Sequence, residues 1–511
     1  MMVARTLSVA LLGMTGAVVE VEAHIANQIP GFQLIGLPDA ALSDAKDRVR
    51  AAAANDGCPL PAKKIVVNLS PASLPKQGST YDLAIAVAVL AAEGAIEVDA
   101  IASVVHLGEL SLDGRVRPMQ GLLPAIVAAR AAGFRRFVVP RGNEDEAMLV
   151  PDVEIMTVAS LRDALIRHGA ELEPTPVEPI RQIAAPPATE SGGDLADVVG
   201  NPDAVEALVV AAAGGHHLMM LGPPGAGKTM LAERLPGLLP DLDAEQALVV
   251  TSLSSLAGRP VSGLLTRPPL ESPHHTSSAA ALVGGGSRVI RPGAAARAAH
   301  GILFLDEAPE FPTAVLDALR QPLESGTITI HRAAAVAHFP GRFQLVLAAN
   351  PCPCGQFGTS DIPCTCTPIM RRRYLSRMSG PLLDRVDLQL RVNRVTTSAV
   401  RLMSDEGSRV STRVARARVE QARAVARERL AGTSWKTNAE VPGSWFRSGA
   451  RRLPIGATAT IDRALERGSL TMRGYDRVLR VAWTIADLEE ASAPTSDHVG
   501  WALFLRKSVA L

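Results

Sequence analysis

The chain contains a glycine-rich segment, GPPGAGKT at 222–229, that fits the pattern GxxxxGK[ST]. The apolar run LMML precedes this segment and the helix-like run MLAERL follows it. In such a strand–loop–helix unit, glycines let backbone N–H groups wrap around phosphate oxygens, and the positive end of the helix points at them. The segment therefore predicts an ATP site in an α/β fold, with Lys228 on the outer phosphates and Thr229 on Mg²⁺. The predicted nucleotide-binding residues of the loop are Gly222, Pro223, Pro224, Gly225, Ala226, Gly227, Lys228 and Thr229.

Two further apolar runs end in polar side chains that would complete this site. GILFLDE at 301–307 ends in Asp306 and Glu307, and FQLVLAAN at 343–350 ends in Asn350. Short, continuously apolar runs are typical of buried parallel strands, and ligands bind at the carboxyl ends of such strands. We therefore expect Asp306 to bind the nucleotide's Mg²⁺, Glu307 to polarise the attacking water and Asn350 to orient that water.

A candidate arginine follows in GPLLDRVD at 380–387. A guanidinium supplied by a neighbouring subunit can stabilise negative charge on a transferring phosphoryl group, which predicts a catalytic role for Arg385. A single arginine on a surface segment is, however, more often a salt-bridged residue.

Four of the five cysteines lie close together behind FQLVLAAN. They form C-x-C, nine residues, then C-x-C, and are Cys352, Cys354, Cys364 and Cys366. Four thiolates in one loop suit a structural Zn²⁺ site, although the spacing is tighter than the commoner C-x-x-C, and a redox site or plain loop thiols are the alternatives. Because a closed four-sulfur site has no open position for a substrate, we predict that the quartet is a scaffold.

The chain of 511 residues is long enough for several domains. A Pro- and Glu-rich stretch at 171–193 predicts a linker, and the region before it alternates strand-like and helix-like runs. The amino-terminal run is interrupted by Gly13 and Gly16 and predicts strand–turn–strand rather than a signal peptide. No apolar run approaches the roughly 20 residues that span a bilayer, so we expect no membrane contact, a cytoplasmic location and reduced cysteines.

Charge is unevenly distributed, although the net charge of the chain is +1. The segment from Arg371 to Arg480 holds 24 Lys/Arg and 10 Asp/Glu. Such a segment suits either a polyanion such as DNA or arginines that line subunit contacts and a nucleotide site, and composition alone does not separate the two. The adjacent His274 and His275 do not share a helix face, and we expect no metal there.

Long strings in the chain resemble the ComM/YifB family of magnesium-chelatase-like AAA+ ATPases. They include SPHHTSSAAALVGGG, GILFLDEAPEF, RQPLESGTITIHRA, AANPCPCG and SGPLLDRVD, and they follow the order found in that family. The resemblance implies a Lon-protease-like α+β domain at 1–170, a linker at 171–195, an AAA+ P-loop core at 196–398 and a helical lid at 399–511.

The same resemblance implies a homo-hexameric ring with ATP sites between neighbours. It places Arg385 at the arginine-finger position, Arg473 at the position of the lid's second sensor arginine, and GTITIHRAAAVAHF in a hairpin that faces DNA in related helicases. The family is associated with DNA branch migration during uptake and recombination, so the expected function is an ATP-driven DNA motor. A chelatase-type motor acting on a partner protein and an ATP-dependent protein unfoldase are the alternatives.

The resemblance to Lon does not imply peptidase activity. A Ser–Lys dyad would need a nucleophile near Ser79 or Thr80 and a lysine near Leu123. A leucine cannot activate a hydroxyl, and we therefore expect no proteolysis.

Overall fold

The computed structural model describes residues 3–36, 39–76, 78–180, 193–286, 290–332, 335–358, 363–395 and 409–507 of the chain. Most of the predicted linker, the hairpin tip at 333–334 and the predicted boundary between core and lid at 398–399 lie outside the described residues.

The amino-terminal region is built on a mixed sheet with helices on both faces. Its strands are β1 (Val3–Leu12), β2 (Thr15–Ala26), β3 (Gly31–Ile35), β4 (Lys64–Ser70), β5 (Val104–His106), β6 (Glu109–Leu110), β7 (Val116–Arg117), β8 (Arg136–Pro140) and β9 (Glu154–Val158). Its helices are α1 (Ala40–Ser43), α2 (Ala45–Asn55), α3 (Asp82–Glu93), α4 (Val98–Ile101), α5 (Leu122–Ala131), α6 (Glu144–Ala147) and α7 (Leu161–Arg167). Among the described residues, seven strands form one sheet in the order β3-β4-β2-β1-β5-β8-β9.

Alternation along β1 explains why this sheet is covered on both sides. Ala4 and Ala10 belong to the hydrophobic cluster that contains α3, whereas Leu7 and Val9 belong to the cluster that contains α5. Successive side chains of a strand point to opposite faces, so one strand contributes to both clusters. The predicted strand–turn–strand at the amino terminus is confirmed by the antiparallel pairing of β1 with β2.

The second region contains a parallel sheet. Its strands are β10 (Leu218–Leu221), β11 (Leu270–Glu271), β12 (Gly284–Gly285), β13 (Arg291–Pro292), β14 (Ile302–Leu305), β15 (Thr327–Arg332), β16 (Ala335–Pro340), β17 (Gln344–Ala349) and β18 (Leu388–Arg391). Its helices are α8 (Pro202–Gly214), α9 (Lys228–Leu238), α10 (Ala244–Leu256), α11 (Ala279–Val283), α12 (Ala294–Arg297), α13 (Thr313–Asp317), α14 (Arg320–Ser325), α15 (Pro368–Leu375) and α16 (Gly380–Leu383).

The order β11-β14-β17-β10-β18 decides where the polar strand ends lie. Every neighbouring pair in this order is parallel. Strands β10, β14 and β17 are fully buried, as their continuous apolar sequences predict. Their carboxyl ends therefore meet at one edge, which we call the carboxyl edge of the sheet, and the opposite edge is its amino edge.

The carboxyl-terminal region is helical and packs against the parallel sheet. Its helices are α17 (Thr412–Arg429), α18 (Gly443–Phe446), α19 (Ile455–Glu466), α20 (Met472–Leu488) and α21 (Ser496–Lys507). Buried residues of α17, α19, α20 and α21 share one hydrophobic cluster with α8, β10 and β18. No helix of the described part of the chain combines the length and apolarity needed to cross a bilayer.

A buried carboxylate joins this helical region to the sheet. Asp387 is 1% exposed and accepts a hydrogen bond from the His217 backbone N–H at 3.0 Å, while Arg477 of α20 pairs with its other oxygen. Burial by itself would raise the pKa of Asp387, but the charge of Arg477 and the nearby His216 hold it well below its usual range. The packing of α20 on the sheet thus depends on a satisfied buried charge.

The amino-terminal region touches the second region at two places. The turn between β1 and β2 meets β16, where the Met14 N–H donates to the His338 carbonyl at 3.2 Å. Glu146 accepts a hydrogen bond from Ser255 of α10, and the Gly121 N–H donates to the Ser255 carbonyl at 3.2 Å. The Met14–His338 bond thus brings the β15–β16 hairpin into contact with the amino-terminal region, and the Ser255 contacts attach α10 to it.

We expect Asp387→Ala to destabilise the chain by about 3–5 kcal/mol, since it leaves the Arg477 guanidinium, which is 17% exposed, without its partner. Thermal unfolding followed by circular dichroism measures the effect. Lys436→Ala is the control, because its pair with Asp243 is exposed (61% and 51%) and surface pairs contribute little. Equal melting of the two variants would contradict the assignment.

Candidate functional site

The GPPGAGKT loop lies at the carboxyl edge, between β10 and α9. Gly225 and Gly227 have φ of +75° and +92°, a left-handed conformation that glycine adopts at no steric cost. Helix α9 begins at Lys228, so its unpaired N–H groups point into the curve of the loop. This arrangement is suited to hold phosphate oxygens.

Lys228 is 8% exposed and lies inside the loop. Its ammonium donates to the carbonyls of Gly222 at 2.7 Å and Pro223 at 3.1 Å, and to Asn350 Oδ1 at 3.1 Å. Burial lowers the pKa of Lys228. The lysine and the amide at the end of β17 are thus within hydrogen-bonding distance, as expected for groups that act on the same phosphate.

The residues predicted to bind Mg²⁺ also meet at this edge. The Thr229 hydroxyl donates to Asp306 Oδ2 at 2.7 Å, and the Glu307 N–H donates to Asp306 Oδ1 at 2.9 Å. A hydroxyl and a carboxylate are hard oxygen ligands of the kind Mg²⁺ prefers beside substrate phosphates. The donor set therefore fits the ion, which Thr229 and Asp306 would hold together with the phosphates.

Glu307 stands beside Asp306 and is half exposed. Its φ is +49°, an uncommon conformation for a residue other than glycine. His275 Nδ1 lies 3.2 Å from Glu307 Oε2. His275 is therefore a site residue that the sequence did not reveal, because only the folding of the loop after β11 onto the carboxyl edge brings it to Glu307. The expectation of no metal at PHHT stays a prediction.

Arg385 and Arg473 are brought together, but not to the P-loop of their own chain. Arg385 precedes β18, whose first residue Leu388 pairs with Leu218, so Arg385 lies at the amino edge. Strand β10 separates this edge from the P-loop by about 13 Å. Arg473 lies one helical turn before Arg477, whose partner Asp387 is two residues beyond Arg385, so Arg473 is at the same edge. Burial and the charge of Arg473 lower the pKa of Arg385. Arg385 is paired with Glu324 of α14.

The four predicted cysteine ligands form a compact cluster. Their sulfur atoms all lie within 4.8 Å of one another, and the Cys352–Cys354 and Cys352–Cys364 Sγ distances are 3.3 and 3.7 Å. Cys352 and Cys366 are buried, and Cys354 and Cys364 are partly exposed. This geometry can hold a metal ion.

Several arginines of the segment from Arg371 to Arg480 form ion pairs within the chain. Several arginines that could face a polyanion are instead paired with carboxylates. These pairs are Arg377–Glu310, Arg385–Glu324, Arg416–Asp241, Arg418–Glu206, Arg429–Asp487, Arg447–Asp476 and Arg477–Asp387. Part of the positive charge is therefore used in pairs within the chain, whereas Arg372 and Arg373 of α15 are exposed.

The Lon-like region has no lysine at the predicted base position. Leu123 is fully buried in the hydrophobic cluster under α5. Ser79 donates a hydrogen bond to Glu109 instead. Lys76, which the sequence analysis did not single out, is buried, and its ammonium donates to the Pro71 carbonyl. The expectation of no peptidase activity stays a prediction.

We predict that Lys228→Ala abolishes ATP binding, because the variant removes the buried ammonium that faces the phosphates. Fluorescence titration with a labelled ATP analogue measures the affinity. Lys436→Ala removes an exposed lysine and is expected to bind like the parent. Parental affinity in Lys228→Ala would rule out the assigned role.

Three family models match consecutive parts of the chain. The model for magnesium chelatase, subunit ChlI, matches residues 194–400, that for subunit ChlI of Mg-chelatase matches 21–143, and that for the ChlI carboxyl-terminal part matches 409–506. The amino-terminal region is also similar to Lon protease of Azospirillum brasilense, at 28% identity over 142 residues, which cover 26% of this chain and 17% of that protein.

Similarity to full-length relatives extends over the whole chain. A protein of Mycobacterium tuberculosis is 48% identical over 520 residues, covering 100% of both chains. Competence protein ComM of Haemophilus influenzae is 39% identical over 514 residues, covering 100% of this chain and 99% of that protein. Protein YifB of Escherichia coli is 38% identical over 502 residues, covering 97% of this chain and 96% of that protein. With the P-loop core, the helical region and the Lon-like region all in place, the chain belongs to the ComM/YifB family of magnesium-chelatase-like AAA+ ATPases.

Proposed function

We propose that this protein is an ATP-driven motor that remodels DNA in the cytoplasm, with branch migration as its activity. The observation that carries the proposal is the position of the β15–β16 hairpin. In the chain it lies between β14, which ends at the catalytic acids, and β17, which ends at Asn350. A hairpin connected on both sides to strands of the ATP site is suited to convert changes at that site into movement.

The exposed end of this hairpin supports a polyanion as the moving partner. His331 and Arg332 are both exposed, while Ile328 and Phe339 at the base are buried and fix its direction. Arg332 can bind a backbone phosphate without reading sequence. The chain has few aromatic residues, so the proposed grip depends on phosphate contacts rather than on stacked bases.

Hydrolysis would use groups that already lie at the carboxyl edge. Lys228 neutralises charge on the outer phosphates, Glu307 accepts a proton from the attacking water, and Asn350 orients that water. Bound Mg²⁺ would supply charge neutralisation between the phosphates. His275, 3.2 Å from Glu307, fixes the direction of the carboxylate.

The arginine pair supports assembly into a ring. Arg385 and Arg473 are at the amino edge, away from the P-loop of their own chain, which favours a role on the ATP of a neighbouring copy. Repetition of this head-to-tail contact closes a ring, for which we propose a homo-hexamer. In the free chain Glu324 pairs with Arg385, so subunit contact would have to exchange this partner for phosphate.

We expect Glu307→Gln to bind ATP with parental affinity and to hydrolyse it about 10²–10⁴-fold more slowly, because the amide cannot accept the proton. Binding titration and steady-state phosphate release measure the two effects separately. Glu310→Gln is the control, since that carboxylate pairs with Arg377 instead. A parental hydrolysis rate in Glu307→Gln would remove Glu307 from the mechanism.

Mixing two inactive variants tests the ring. Lys228→Ala loses its own site, and Arg385→Ala loses its contribution to the neighbour. In an equimolar mixture, roughly a quarter of the head-to-tail contacts combine an intact Lys228 with an intact Arg385, so we expect about that fraction of the parental ATPase rate. A mixture as inactive as its components would contradict action on a neighbouring copy.

DNA dependence tests the proposed substrate. We expect branched or single-stranded DNA to stimulate ATP turnover, with stimulation falling steeply as salt is raised from 50 to about 200 mM. Arg332→Ala is expected to lose most of the stimulation and to keep the basal rate. A turnover rate that no DNA structure alters would contradict a DNA motor, and stimulation by an unfolded protein alone would favour the unfoldase.

A further inference from the structure

The cysteine cluster is close in size to a tetrahedral metal site, with sulfur separations that begin at 3.3 Å and stay within 4.8 Å. Four sulfurs bonded to Zn²⁺ at about 2.3 Å lie about 3.8 Å apart at the corners of a tetrahedron. The Cys354–Cys364 Sγ distance is 3.7 Å, equal to that between Cys352 and Cys364. A disulfide needs about 2.05 Å. The chain therefore gathers four thiols at spacings that fit a thiolate-bound metal rather than a bridged pair.

The cluster is directly connected to the ATP site along the chain. Cys352 is two residues beyond Asn350, and the Gly355 N–H donates back to the Cys352 carbonyl at 2.9 Å. At the other end, α15 begins straight after Cys366, with Thr367 as its N-cap. A metal that joins Cys352 and Cys366 would therefore fix both ends of the loop that follows Asn350.

The cysteine loop also packs against the GPPGAGKT segment. A Cβ added to Gly355 would lie 2.6 Å from Pro224 Cδ, so the loop backbone is in close contact with the P-loop. Gly355 has φ of +76°. The sharp turn after the first cysteine pair thus packs on one wall of the phosphate site.

Helix α15 lies close to the carboxyl edge. The Tyr374 side chain is buried, and burial and the charges of Glu310 and Glu307 raise its pKa. Just beyond the helix, Arg377 donates to the Pro309 carbonyl at 3.0 Å and pairs with Glu310. The chain that follows the cysteine loop is therefore anchored on the segment directly after Glu307.

We propose that the quartet binds one Zn²⁺ and that this metal holds Pro224 and Asn350 in the positions that nucleotide binding and hydrolysis need. The inference depends on the ATP site and is independent of DNA. Without the metal, the two cysteine pairs are no longer joined, and the P-loop loses a rigid neighbour. Small displacements of positioning groups can reduce turnover by about 100-fold.

Metal content is the first test. Protein purified under reducing conditions is expected to contain about one zinc per chain, and Co²⁺ exchanged into it should give the intense visible absorption of tetrahedral thiolate coordination. Cys354→Ser is expected to lose the metal and to hydrolyse ATP at least 10-fold more slowly. Cys58→Ser is the matched control, because Cys58 lies in the amino-terminal region. Parental protein free of metal would overturn the proposal.

A second pair of variants separates metal binding from its effect on the ATP site. Gly355→Ala and Gly358→Ala introduce the same residue at φ of +76° and +80° in the same loop, but only the first meets Pro224, since a Cβ at Gly358 has nothing within 4 Å. We expect both variants to keep the zinc, and Gly355→Ala alone to bind ATP about 10-fold more weakly. Equal ATP affinity in the two variants would overturn the coupling of the loop to the P-loop, and it would leave Lys228 and Glu307 in their assigned roles.

Discussion

The parallel pairing of β10 with β17 is the constraint on which the rest of the site depends. Leu221 pairs with Ala349, and the Gly222 N–H continues the ladder to the Ala349 carbonyl at 3.1 Å. This register aligns the start of the P-loop with Asn350. The pairing of β14 with β17 adds Asp306 and Glu307 at the same level. A shift of one residue in either pair would turn buried side chains to the wrong face, so the hydrophobic core enforces the geometry of the polar edge.

The two edges of this sheet carry different charged residues. The carboxyl edge combines Lys228 with the acids that would bind Mg²⁺ and activate water. The amino edge carries Arg385 and Arg473, whose proximity lowers the pKa of Arg385. Burial of Asp387 beside Arg477 attaches the helical region here, so the arginines are presented on a firmly packed surface. One chain thus holds the P-loop and this arginine pair at opposite ends of its strands, and the proposed ring would bring the arginines of one copy to the P-loop of the next.

Three segments between the strands of the parallel sheet contact residues of the carboxyl edge or connect its strands. The loop after β11 supplies His275 to Glu307, the β15–β16 hairpin connects the acid strand with the Asn350 strand, and the cysteine loop packs on Pro224. The hairpin also touches the amino-terminal region through Met14 and His338. The hairpin that joins the two strands of the ATP site is therefore also in contact with the Lon-like region.

Strong local signals in the sequence were enough to predict several elements of the fold. Continuous apolar runs predicted three buried parallel strands, and the polar residues at their ends predicted where Lys228, Asp306, Glu307 and Asn350 would meet, because parallel strands share one direction. The spacing of the four cysteines likewise predicted that they would form one cluster. The partner of Glu307, the position of Arg385 at the amino edge and the internal pairing of the arginine-rich segment were decided by the tertiary structure. These features depend on contacts between residues far apart in the chain, whose sequences carry no local periodicity that reports the partner; His275 in PHHT looks the same whether it faces solvent or a catalytic carboxylate.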